Sequence, residues 1–123
     1  MTLNKRELAR IERCLIATLT EACETAKTEI EGFCWLTHTA DTNAFVQTLK
    51  VTWVFDTLAN KQLAQTSTRK ARVFELTATA LNEANIDLRP SDHSVRFDSE
   101  EECQRSHGGD WSRRLAQSRA TRH

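Results

Sequence analysis

Apolar side chains recur at three- and four-residue steps through Leu8, Ile11, Leu15, Leu19, Ala22, Ala26 and Ile30. That spacing places one apolar stripe along one side of a helix. Asn4 followed by Glu7 has the spacing of a capping box, and Gly32 supplies a C-terminal stop. The pattern therefore predicts a helix over residues 5–31, about 40 Å long. A small sheet cannot cover that length, so the overhanging end is available to a second subunit.

Beyond Gly32 the period falls to two. Residues 33–38 form an aromatic-rich strand, with Phe33 and Trp35 on one face and Cys34 and Leu36 on the other. Leu49, Val51, Trp53 and Phe55 then alternate with Lys50, Thr52 and Val54, and the two strands make a hairpin across the turn residues 41–43. Residues 56–68 are polar around Leu58 and Leu63, a loop with a short helix. Ser67 or Thr68 caps a second helix over residues 69–85, with Val73, Phe74, Thr77, Leu81 and Ala84 as its inward line. Ile86 and Leu88, ended by Pro90, pair through the turn at 91–94 with Val95 and Phe97 as a second hairpin. Asp98 caps a third helix, with Glu101 at the capping-box position and Gly108 and Gly109 as the stop.

The order is helix, hairpin, helix, hairpin, short helix. The economical fold is α+β: a four-stranded antiparallel sheet with the helices on one face. Residues 1–110 make a single domain, and residues 111–123 form a basic arm with four arginines, no acid and only Trp111, Leu115 and Ala116 to bury.

Length and charge narrow the function classes. A chain of 123 residues is one domain, able to fold without a metal or a disulfide framework. Seventeen basic side chains balance seventeen acidic ones, which excludes a globally basic nucleic-acid binder. No stretch is long and apolar enough to span a bilayer, and the N-terminus lacks a secretory h-region. Cys14 and Cys23 lie nine residues apart on one helix, about 13 Å, too far for a disulfide. Reduced thiols in a cytoplasm are the expectation, with no cofactor.

Chemistry has few places to sit. Cys103 and His107, four apart on the third helix, are the metal candidates, but two ligands do not complete a zinc site. Three glutamates ahead of Cys103 oppose a thiolate, and no glycine-rich phosphate loop or nucleophile elbow occurs. The expectation is a protein that is not an enzyme. The arm offers Arg113, Arg114, Arg119 and Arg122 to phosphates, or else to the acids at 98–102. The apolar second face of the first hairpin, Cys34 and Leu36, needs cover, which points to a homodimer or a protein partner.

The segments at 32–38, 51–55 and 95–103, together with His107-Gly108-Gly109-Asp110-Trp111, resemble a group of small uncharacterised proteobacterial proteins. Some of these carry the label of Fis-like transcriptional regulators. The resemblance implies a bacterial cytoplasmic protein and, through that label, DNA binding. The one helix-turn-helix candidate, residues 99–107 and 111–120 about the glycines, has Arg114 and Gln117 where inward apolar residues belong. The expectation is a small cytoplasmic binding or assembly module, dimeric; a nucleic-acid-binding regulator using the basic arm is the alternative.

Overall fold

A computed structural model describes residues 4–120, with side chains described through residue 116. The first helix, α1 (Lys5–Glu29), opens with the expected capping box: Asn4 accepts from the Glu7 amide, and Glu7 accepts from the Asn4 amide. Its 25 residues extend about 37 Å. Leu15, Leu19, Ala22 and Ala26 are buried, whereas Leu8 and Ile11, nearer the N-terminus, are only half-buried. Gly32, with φ +83°, turns the chain into β1 (Phe33–Thr39). A Cβ there would collide with the Asn60 side chain, so both backbone and space call for glycine.

A 3-10 turn (Thr42–Ala44) and a single helical turn, α2 (Phe45–Thr48), lead to β2 (Lys50–Phe55). Two further helices follow, α3 (Leu58–Thr66) and α4 (Thr68–Glu83), the latter capped by Ser67. The chain returns through β3 (Val95–Ser99) to α5 (Glu100–His107) and α6 (Trp111–Ala120).

The fold is α+β, as the sequence predicts, but the sheet is not four-stranded and antiparallel. It has three strands in the order β1-β2-β3; β1 is antiparallel to β2, and β3 is parallel to it. Residues 86–90 form no strand. Asn85 ends α4 in the left-handed conformation, the Ile86 amide bonds back to Leu81, and Ile86 is buried at the foot of that helix. Two apolar residues in alternation were satisfied by packing instead of pairing. With α3 and α4 as the crossover, the chain reaches β3 in the direction of β2, which makes the pairing parallel. The central strand carries the core: Trp53 and Phe55 are fully buried. Phe33 packs on Trp53 at 4.9 Å and on Phe55 at 5.8 Å, and Phe97 stacks on Phe55.

Among the described residues, no helix is long and apolar enough to cross a membrane.

Candidate functional site

The edge strand β1 does not keep the alternation its sequence suggests. Phe33 pairs with Phe55 but Trp35 pairs with Val54, so the register shifts at Cys34, which sits in a bulge. Directly opposed residues share a face. Leu36, opposite Trp53, therefore lies on the helix-covered face with Phe33, and Trp35 lies on the other. The expectation that Phe33 and Trp35 share one face and Leu36 the other is thus corrected by a single extra residue. The Cys34 thiol donates to the Gly32 carbonyl at 3.7 Å, and burial, aided by the Asp56 and Glu100 carboxylates, pushes it above the ordinary thiol range.

The face that carries Trp35 is covered from within. Trp111, at the start of α6, meets Trp35 edge to face at 4.9 Å. Both indoles donate to the same oxygen of Glu100, at 3.2 Å from Trp35 and 2.6 Å from Trp111. One turn along α6, Arg114 grips Asp98 of β3 with two bonds, Nε to Oδ2 at 2.7 Å and Nη2 to Oδ1 at 2.9 Å. The Asp98 hydrogen bonds raise the Arg114 guanidinium above its ordinary pKa. Asp98 is therefore not the cap of α5. Ser99 is: it accepts from the Glu102 amide and donates to the Glu102 carboxylate.

This arrangement places the predicted chemistry. Arg114 is held internally and Arg113 is exposed; the Arg119 side chain and Arg122 lie outside the described residues. Helix, glycine turn and helix do form over α5 and α6, with α6 held to the sheet by Trp111 and Arg114. Cys103 is fully buried and its thiol is pushed up by that burial, so it stays protonated at neutral pH, the wrong state for a nucleophile or a metal ligand. His107 is half-buried at the end of α5, its Nδ1 2.5 Å from the Ser106 hydroxyl. No group of three His, Cys, Asp or Glu side chains able to hold a metal occurs among the described residues.

Two carboxylates tie this corner to α3. Asp56 is held below the ordinary carboxylate range by the Asn60 amide, against burial and with help from Thr57. Burial opposes the charged form of Glu102, but Lys61 at 2.7 Å and the Ser99 hydroxyl outweigh it and hold this carboxyl low as well. Folded-state pKa values below the unfolded ones give stability that is present above the unfolded carboxylate pKa, about 4, and lost as pH falls through the folded values. Acid unfolding monitored by tryptophan fluorescence should begin below about pH 4, and Glu102→Gln should weaken that acid dependence; an unchanged acid limb would show that Glu102 does not contribute.

The surface left open is on the other side of the molecule, where α1 runs beside β1. Glu12 meets His38 at 3.4 Å near the end of β1, and the Lys27 ammonium acts on Cys34 near its start. The helix and strand are therefore antiparallel neighbours. Between them lies a groove of about 400 Å³ lined by Ile16, Leu19, Thr20, Cys23, Glu24 and Lys27 of α1 and Leu36, Thr37 and His38 of β1. Ile16 is 51% exposed, and only Leu63 joins it as an exposed large apolar side chain among the described residues. β1 bonds to β2 alone, so its outer row of backbone groups faces away from the sheet. Leu36, an interface residue expected from the sequence, lines this groove; the less covered N-terminal turns of α1 do not. Ile16 was missed because it falls outside the helix's apolar stripe; its signal was a lone isoleucine about 100° from Leu15.

No family model matches the chain, and no curated protein and no solved structure matches it.

Proposed function

We propose that the protein is a non-enzymatic binding and assembly module that works as a dimer through the α1–β1 side. The observation that carries this reading is the groove itself, an exposed isoleucine beside an edge strand that has neither proline nor a Lys, Arg, Asp or Glu side chain along Phe33–Thr39. Edge strands are normally blunted by such residues, because an uncovered row of amides and carbonyls invites pairing. The opposite face of the sheet has its cover in Trp111 and Arg114. The two cysteines with raised pKa values are poorly suited to nucleophilic catalysis. Phosphate recognition by the basic arm loses Arg114 to Asp98.

Hydrogen–deuterium exchange read at low and at high protein concentration tests the reading. Amides of β1 and of the groove face of α1 are expected to exchange more slowly in the concentrated sample. Exchange that is independent of concentration throughout the chain would overturn self-assembly on this surface.

A further inference from the structure

The charges of α1 are divided along its length. Residues 5–18 hold four basic and two acidic side chains, whereas residues 19–29 hold one basic and three acidic ones. Ile16 stands next to the midpoint of this helix and is half exposed. Counting 100° per residue, Ala9, Ile16, Thr20 and Cys23 fall within one narrow stripe that begins at Lys5 and ends at Lys27, with Arg13 and Glu24 along its outer flank. Between those two lysines the stripe is small or apolar, and its Ile16, Thr20, Cys23 and Lys27 wall the groove above β1.

A helix that is basic at one end, acidic at the other and apolar at its middle is complementary to itself only when the copies run in opposite directions. Parallel copies would set four basic side chains against four. With Ile16 opposite Thr20 of a second copy, Arg13 and the second copy's Glu24 come within one residue of the same level, and the two-fold repeats that pair. Because β1 runs antiparallel to α1, a two-fold axis normal to the sheet also brings the two β1 edges to the same side. We infer that the partner at the groove is a second copy of this chain, packed α1 against α1 in antiparallel fashion about Ile16 and Thr20, with Arg13 and Glu24 setting the direction. This rests on the assembly reading above and deepens it by naming the occupant and its orientation.

Sedimentation of the full chain and three variants is the test. The intact protein is expected to be dimeric at high micromolar concentration and Ile16→Glu monomeric, with an unchanged far-ultraviolet circular dichroism spectrum because Ile16 is exposed. Arg13→Glu places glutamate against glutamate twice, and Glu24→Arg places arginine against arginine twice. Each alone should weaken the dimer roughly tenfold. An equimolar mixture of these two variants restores both pairs and should form a dimer of one copy each, with wild-type affinity. A mixture no tighter than the separate variants, or an Ile16→Glu protein that remains dimeric, overturns the antiparallel helix pair. If β1 amides still gain protection on concentration in that case, assembly on this side stands and only the orientation fails. A monomeric intact protein sinks both.

Discussion

Trp53→Ala is expected to cost about 3–5 kcal/mol, the range for emptying a fully buried tryptophan site, and so to leave little of a stability that in domains of this size is 5–15 kcal/mol, by the order-of-magnitude rule. Trp53 has no exposed surface, sits at the middle of the central strand and packs on Phe33 at 4.9 Å. Its indole donates at 3.1 Å to the Thr77 hydroxyl, which passes a bond on to the Val73 carbonyl of the same helix. One side chain thus joins β1, β2 and α4. Urea unfolding should show a large fall in midpoint for Trp53→Ala. Trp53→Phe keeps most of the volume and loses the donor, so a loss of about 1 kcal/mol is expected. Equal losses in the two variants would mean that the hydrogen bond, and not the packing, holds the helix to the sheet.

Asp98→Ala should release α6. The substitution removes both Asp98 acceptors and leaves Arg114 only the Ser106 hydroxyl and the Glu102 carbonyl; the Arg114 side chain is 21% exposed and that of Asp98 16%. A fully buried pair broken on one side costs about 3–5 kcal/mol; partial exposure brings the expected loss to about 2 kcal/mol. A helix of ten residues does not persist alone in water, so its order depends on Arg114 and Trp111. The expected signature is rapid amide exchange at 112–116 together with a changed Trp111 environment, while α1, β2 and α4 keep their protection. Retained protection of 112–116 in Asp98→Ala would show that the Trp35–Trp111–Glu100 contact suffices. Releasing α6 would also uncover the Trp35 face, so Asp98→Ala protein is expected to aggregate where the Ile16→Glu protein does not.

The elements legible in the sequence are those whose signal is local. The Asn4–Glu7 box and the three-and-four spacing of Leu15, Leu19, Ala22 and Ala26 determine α1 without reference to the rest of the chain. The alternation of Val51, Trp53 and Phe55 likewise marks β2. The rest depends on contacts between distant residues. A period-two reading of Phe33 to Leu36 has no means of registering an extra residue at Cys34, and that one residue moves Leu36 from one face to the other. Asp98 has the look of a helix cap, but its partner is Arg114, sixteen positions on, and the cap passes to Ser99. Glu100 reads as one more acid in a first turn; that it receives two indole N–H groups follows only from the folded positions of Trp35 and Trp111. Ile86 and Leu88 offered too short an alternation to separate a strand from a segment packed under a helix. The candidate site shows the same division: the sequence holds Leu36, while the exposure of Ile16 beside it is a property of the fold.

Sedimentation equilibrium of the intact, full-length chain at high micromolar concentration measures the central claim most directly. The α1–β1 account predicts a mass twice the 14.0 kDa of the chain. A single species at 14.0 kDa under those conditions would contradict it.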